Sequence, residues 1–383
     1  MMAAHAGLER RILASLDATP SRVPVVLGGC GTGRTTLLHG LADRLGRANC
    51  QYVDIERAAS TPERFHHAVI SSSPFVDAGM TEGDAAVPTS ARDAFDRTLA
   101  FFQRARTPDG QPATFLLDEV LELRTFESFP GLRQVLRELV QAVADSPNRF
   151  VCSSRYVARA HRVLRDAAAR FEVVHLPPLA RSDVAAMLPP SEATTAAERE
   201  ELAAAIHALS DGRAAYVRAL GDMAAAMSQR GGDPISAMTA LLTSDGALTA
   251  WCGYRYEIRL HRARGYGALK AILEILAEDE PLTLTEISQR LRRTPGSTKD
   301  YLSWLEDVDL VVARQKRYSF ADPVLRLWVR LHARPMPPGV DDVAREVQAY
   351  ALARLPQSEP SLATAGAGAG AAERKPWGII EID

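Results

Sequence analysis

The sequence predicts an α/β protein in three parts: a parallel sheet covered by helices on both faces, a helical lid, and a winged helix-turn-helix. Three observations carry this. Short apolar runs alternate with helical periodicity over the first 180 residues. Strand signals stop after Pro177-Pro178, where an Ala-rich helical stretch begins. A later unit then reads helix, helix, helix, hairpin.

In chain order, Leu8, Ile12, Leu13 and Leu16 share one face of a helix that Pro20 and Pro24 end. Val23–Leu27 is an apolar run suited to a strand buried on both faces. Thr35–Leu45 is helical. Further strands are predicted at Gln51–Ile55, Thr114–Asp118, Arg149–Ser153 and Phe171–Leu176, with helices around Ala91–Arg104 and Leu132–Ala144 between them. Ser71–Ser90 has little period and reads as a mobile insertion. Arg181–Gly246 is helical with breaks at Pro189-Pro190 and Gly231-Gly232. These signals divide the chain into a core over 1–180, a lid over 181–250, a third unit over 251–334 and a flexible tail over 335–383. The tail holds Ala365–Ala372, a low-complexity linker, and ends in Trp377-Gly-Ile-Ile-Glu-Ile382, an apolar peptide suited to folding back or to strand addition on a partner.

Composition narrows the function classes. Of 383 residues, 46% are apolar and 24% charged, enough for a sizeable core. Basic and acidic residues number 45 and 47, a net charge of −2, which argues against a general polyanion binder. No apolar run is long enough for a membrane span, the N-terminal segment lacks a secretory pattern, and Cys30, Cys50, Cys152 and Cys252 form no metal-ligand cluster. The expectation is a reduced, cytoplasmic protein with no membrane contact. His66-His67 lack a third ligand and read as a solvated face. Lysine is scarce: Lys270, Lys299, Lys316 and Lys375 are the only four, so arginine does the cationic work.

The chemistry starts at Gly28-Gly29-Cys30-Gly31-Thr32-Gly33-Arg34-Thr35-Thr36, between the first strand and the first long helix. Glycines let successive N–H groups face one phosphate, and the helix start adds its partial positive charge. The cation at 34 reaches toward β- and γ-phosphates, and the Thr35 hydroxyl suits Mg²⁺. Arginine at this position grips with a planar fork instead of an ammonium point, which bears on transition-state geometry more than on binding. Cys30, inside the loop, is either a passive small residue or a redox-sensitive one. Asp118 and Glu119 follow an apolar strand: Asp118 suits the Mg²⁺ shell and Glu119 an attacking water. Val151–Arg155 closes the fourth strand and puts Ser154 or Arg155 at the carboxyl edge, where ligands bind in open α/β sheets, with Arg155 suited to sensing the γ-phosphate. The alternatives are a glycine turn without ligand, a helix-capping acid pair, and an ordinary surface arginine.

Together these residues resemble the archaeal-type ATPases of the STAND class, P-loop NTPases related to AAA+, over roughly residues 8–332. The phosphate loop, Phe115-Leu-Leu-Asp-Glu-Val-Leu121, Cys152-Ser-Ser-Arg155, His175-Leu-Pro-Pro-Leu179 and Ala321-Asp-Pro-Val-Leu-Arg-Leu-Trp328 match its motifs in order. Two departures stand out: Arg34 replaces the family lysine, and Ala214 stands where the lid's "GGxPxY" element carries proline. The resemblance implies ATP as the nucleotide. The implied function is an ATP-hydrolysing switch, with Arg34 and Glu119 as catalytic residues and Thr35 and Asp118 on Mg²⁺. Its rivals are a nucleotide-gated binding module with little turnover and a DNA-binding transcription regulator whose nucleotide domain is a scaffold.

The third unit reads as a helix over Ala268–Leu276, a second over Leu284–Leu291 capped by Thr285, a turn at Thr294–Gly296, a third helix from Ser297 to Leu305, and a hairpin over Val311–Phe320. Arg290, Arg292, Arg293, Lys299, Arg314, Lys316 and Arg317 suit DNA phosphates. Asp300, Glu306, Asp307 and Asp309 crowd the third helix and oppose that reading. A protein-docking wing stays open beside DNA contact, as does an oligomer. Trp251, Tyr254 and Tyr256, with Arg255 and Arg259, suit either base stacking or core packing at a domain joint.

Overall fold

The computed structural model describes residues 3–77, 87–165, 169–189, 195–227, 233–263, 265–334 and 336–355. Residues 78–86 of the predicted insertion, the Gly231-Gly232 break, Ala365–Ala372 and the terminal apolar peptide lie outside the described residues.

The core contains α1 (Ala3–Asp17), β1 (Val23–Leu27), α2 (Arg34–Leu45), β2 (Cys50–Asp54), α3 (Ile55–Ala58), α4 (Pro62–Ser71), β3 (Val76–Asp77), α5 (Ala91–Arg104), β4 (Ala105–Arg106) and β5 (Thr114–Asp118). A 3₁₀ segment (Val120–Ser128), α6 (Val135–Asp145), β6 (Arg149–Ser154), α7 (Val157–Leu164) and β7 (Phe171–His175) complete it. The lid is α8 (Arg181–Met187), α9 (Ala196–Ser210), α10 (Ala214–Met227) and α11 (Pro234–Leu242). α12 (Ala247–Arg262) runs straight across the expected 250/251 boundary into the third unit. That unit holds α13 (Tyr266–Glu278), β8 (Leu282–Thr283), α14 (Leu284–Leu291), α15 (Pro295–Asp307), β9 (Val311–Arg314), β10 (Arg317–Phe320) and α16 (Pro323–His332), followed by α17 (Val340–Leu352).

Five parallel strands form the main sheet in the order β2-β5-β6-β1-β7. All five residues of β1 and of β5 are buried, as a strand covered on both faces requires. On one face Val26, Leu116 and Val151 meet Ile12, Leu37 and Leu41 of α1 and α2. On the other, Phe115 lies among Phe75, Phe101, Phe102 and Phe150, with ring centroids 4.9–6.0 Å away. Register places Asp54 opposite Asp118 and Leu27 opposite Ser154. The glycine loop, the acid pair and Arg155 therefore leave the sheet at one edge.

Two helix starts differ from the sequence reading. Thr283, not Thr285, caps α14: its hydroxyl accepts from the Glu286 N–H, and the Glu286 carboxylate accepts from the Thr283 N–H at 2.6 Å. This reciprocal pair satisfies two orphan donors, which a cap at 285 would forgo. α15 starts at Pro295 instead of Ser297, because Thr294 caps it and proline is pre-organised for the first helical position. The 335–383 segment is not all tail. α17 buries Val343, Val347 and Ala351, donates from Tyr350 Oη to the Leu209 carbonyl of the lid at 2.9 Å, and ion-pairs Glu346 with Arg330 of α16 at 3.0 Å.

Candidate functional site

The loop between β1 and α2 needs glycine where the backbone is left-handed: Gly31 has φ +77° and Gly33 φ +102°. Gly31 also lies so close to α12 that an added Cβ would meet Trp251 at 3.4 Å. Directly after the loop, Thr35 Oγ1 donates to Asp118 Oδ2 at 2.8 Å, and Tyr52 Oη donates to the same oxygen at 2.8 Å. Ser153 Oγ bonds the other Asp118 oxygen and accepts the Glu119 N–H at 3.0 Å. This double tether holds Glu119 in a left-handed conformation, φ 57°, which is strained for a side-chain-bearing residue.

Glu119 is buried with two arginines. Arg34 Nη2 donates to its Oε1 at 2.5 Å, Arg155 Nε lies 3.1 Å from that oxygen, and the Arg155 N–H donates to Oε2 at 3.0 Å. Burial alone would raise the Glu119 carboxyl; the two guanidinium charges and the backbone donor outweigh it and hold the group down at about 2. Arg155, only 2% exposed, also pairs with Glu56 and lies 3.7 Å from Glu122. It is a buried hub and not a surface arginine. Arg34 Nη1 donates to the Gly28 carbonyl and, at 2.5 Å, to the Gly29 carbonyl. Its fork thus bridges the loop and Glu119.

A cleft of about 240 Å³ opens in front of these groups. Gly31, Thr32, Gly33, Arg34, Thr35 and Thr36 line it, together with Asp118, Glu119 and Arg155. Gly28, Gly29 and Cys30 of the predicted site do not; they face Arg34, Arg213 and Arg259 behind the loop. The Cys30 thiol accepts from Arg255 Nη1 at 3.1 Å and from Arg259. Burial pushes this thiol up, but Arg259, Arg255, Arg155 and Arg34 outweigh burial and lower it.

The far wall comes from the C-terminal half. The Ala215 N–H donates to the Gly31 carbonyl at 2.9 Å, and Arg213 Nη1 to the Cys30 carbonyl at 2.9 Å. Ala214 lines the cleft with Ala215, Arg218 and Arg255. Arg213, Arg218, Glu56, Tyr52 and Ser153 escaped the sequence reading. The signal for Arg213 lay in its place inside the lid motif; the others come from elements whose proximity only the topology sets. Trp251 and Tyr256 pack at the joint, against Tyr216 and Trp328, while Tyr254 is exposed.

A larger cleft, about 930 Å³ between β2 and α4, has Asp54 in common with the lining of the smaller one and also borders Tyr52. His66 there bonds Thr98 at 3.2 Å. Among the described residues no three His, Cys, Asp or Glu side chains converge as a metal cage, and no helix is long and apolar enough to cross a membrane. All four cysteines are free and buried.

In the winged helix all seven basic residues are exposed; Arg290 pairs with Asp279 at 2.6 Å, and Arg317 donates to the Pro281 carbonyl at 3.0 Å and lies 3.9 Å from Glu286. The opposing acids resolve differently. Asp307 pairs with Arg159 at 3.0 Å and with Arg162, both on α7 of the core. Asp309 turns toward Gly29, and its carbonyl accepts from Arg259 at 3.0 Å. Burial raises the Asp309 carboxyl to about 6, against the pull of Arg259, Arg213 and Arg34. Glu306 is half-buried, which leaves Asp300 as the exposed acid of the four.

A family model described as winged helix-turn-helix DNA-binding matches residues 268–312. No curated protein sequence matches the chain. Among solved structures, a Walker-type ATPase of Pyrococcus abyssi, PABY2304, is similar at 18% identity and TM-score 0.61, over 84% of this chain and 94% of that one. Cdc6p from Pyrobaculum aerophilum aligns at 10% identity and TM-score 0.43, over 93% of this chain and 96% of its own. The Aeropyrum pernix ORC1 protein, solved in complex with DNA, aligns at 16% identity and TM-score 0.41, over 90% and 91%. The fold is therefore that of a parallel-sheet α/β P-loop ATPase with added helices, carrying a winged helix-turn-helix in its C-terminal third.

Proposed function

We propose that the chain binds ATP with Mg²⁺ at the glycine loop, hydrolyses it slowly, and couples nucleotide state to a DNA contact through its winged helix. The Thr35–Asp118 pair at the mouth of the loop is the observation that carries this. Two hard oxygens sit side by side at the end of the sheet, and with no three-acid cage among the described residues the remaining positions of a Mg²⁺ shell fall to phosphate and water. Those residues fit the ion, which supplies charge neutralisation at the β- and γ-phosphates when bound. The loop N–H groups and Arg34 hold the phosphates.

Glu119 is ionised at neutral pH and is the base that orients water. Its oxygens are engaged by Arg34 and Arg155 in this conformation, so turnover requires Arg34 to leave Glu119 for phosphate. That exchange is the reason for slow hydrolysis. A cleft of about 240 Å³ is also smaller than the roughly 300 Å³ at which small-molecule sites begin. It suits the phosphate end, and seating a whole nucleotide needs the C-terminal half to shift.

Titration with labelled ATP and Mg²⁺ tests the site. Thr35→Ala is expected to weaken Mg²⁺-dependent binding at least tenfold while leaving any Mg²⁺-free binding unchanged. Equal affinity with and without the ion, in both proteins, would refute the metal-assisted reading.

DNA contact is favoured over protein docking because Asp307 is ion-paired with Arg159 and Arg162 of the core, whereas the basic residues of the wing are exposed and make no ion pair with the core among the described residues. Exchanging Arg314, Lys316 and Arg317 for glutamate together is expected to abolish duplex binding at moderate salt. Neutralising the same three with glutamine is expected to cut the salt slope by about 3 units, near one per lost phosphate contact. Fluorescence anisotropy over a salt series reads both; an unchanged slope would move the contact off the wing.

A further inference from the structure

Three arginines of the C-terminal half surround Cys30, and they are not equivalent. Arg213 is committed to the Cys30 and Ala321 carbonyls and lies 3.5 Å from Asp322. Arg259 is committed to the Cys30 thiol and the Asp309 carbonyl, and is 2% exposed. Arg255 has only a thiol, a weak acceptor, at 3.1 Å and the π face of Trp251 at 4.5 Å. All three have a buried Nε without a hydrogen-bond partner, so the difference lies in the terminal nitrogens, which in Arg255 reach no oxygen acceptor among the described residues. Among the described residues it makes no ion pair, yet its side chain lines the cleft beside Gly31–Thr36 and Glu119.

An arginine with unused donors facing a site that the loop prepares for phosphate is a guanidinium waiting for an anion. Of the other arginines that line the cleft, Arg34 is matched by Glu119 and Arg155 by Glu119 and Glu56, while Arg218 on α10 shares with Arg255 the lack of an ion pair among the described residues. Arg255 adds uncompensated positive charge to the cleft, and it does so from α12, the helix that leads into the winged helix.

We propose that Arg255 distinguishes a nucleoside triphosphate from a diphosphate: when a terminal phosphate is present its guanidinium leaves the Cys30 thiol and binds that phosphate, so that α12 reads the state of the nucleotide. This rests on the triphosphate reading of the site. The exchange is a change of hydrogen-bond partner with no covalent step. It replaces a thiol acceptor by a charged one, which makes the direction favourable, and it moves the guanidinium off the Trp251 ring.

The test uses the full chain, Mg²⁺, a non-hydrolysable ATP analogue and ADP. Calorimetry is expected to show that wild type prefers the analogue over ADP and that Arg255→Gln reduces this preference about tenfold or more, with ADP affinity little changed. Arg255→Lys, which keeps the charge and loses the fork, is expected to recover part of it. A second readout needs no Arg255 variant: the analogue, and not ADP, changes tryptophan emission in wild type, and Trp251→Phe removes that change. If wild type binds neither nucleotide, the triphosphate reading itself fails. If it binds both but Arg255→Gln keeps the wild-type preference, or no Trp251-dependent signal separates analogue from ADP, the site stands and the role of Arg255 is overturned.

Discussion

Glu119→Gln is expected to lower phosphate release by about two to four orders of magnitude while ATP binding persists, the range ascribed to loss of a positioned general base. The amide keeps one acceptor oxygen for the Arg155 N–H but no longer takes a proton from water. The same change acts on stability. Arg34 and Arg155 are buried against this carboxylate, and removing one member of a buried charge pair costs about 3–5 kcal/mol, because the survivors stay desolvated. Arg155 retains Glu56, so the cost belongs near about 3 kcal/mol. Single-turnover phosphate release and denaturant unfolding of the same preparation separate the two effects. Unchanged turnover with lost stability would make Glu119 a structural counter-ion and nothing more.

Arg34→Ala removes the other half of that bridge. About 3 kcal/mol of stability is expected to go with it at neutral pH, and the affinity for Mg²⁺-ATP to fall at least tenfold. The pH profile carries the clearer signature. In the folded protein the Glu119 carboxyl stands at about 2, below its ordinary 4.5. Its stabilisation is therefore complete above about pH 4.5 and is lost as pH falls toward 2, where the folded carboxylate finally protonates. Without Arg34, burial is opposed by Arg155 alone, the folded value rises, and the acid limb of the stability curve flattens. Thermal melts between pH 2 and pH 6 for both proteins read this directly. Arg34→Lys is expected to lie between them, since one ammonium does not span two loop carbonyls and Glu119 together.

Much of the core was legible because its signals are local. Buried strands such as Val23–Leu27 and Thr114–Asp118 are apolar throughout, and glycine at 31 and 33 answers to a backbone that other residues resist. Thr35 and Asp118, 83 residues apart in the chain, meet because one motif ends β1 and the other ends β5 of the same sheet. What the sequence left hidden was partnership. Nothing in the spacing tells that Arg34 pairs with Glu119, or that Asp307 and Asp309 turn away from the groove-reading face toward Arg159 and Arg259. Asp307, one of the acids read as an obstacle to DNA, is in the fold an ion-pair link between the third unit and the core. Thr283 and Thr285 are equally good caps on composition, and only the reciprocal contact with Glu286 selects the first.

The terminal helix carries a mechanical consequence. By bonding Leu209 through Tyr350 and Arg330 through Glu346, α17 bolts α9 and α16 into one block. That block meets the glycine loop where Arg213, Ala215 and Arg259 touch residues 30 and 31, and meets α7 where Asp307 pairs with Arg159, so the end of the chain is linked through packed helices to the mouth of the cleft.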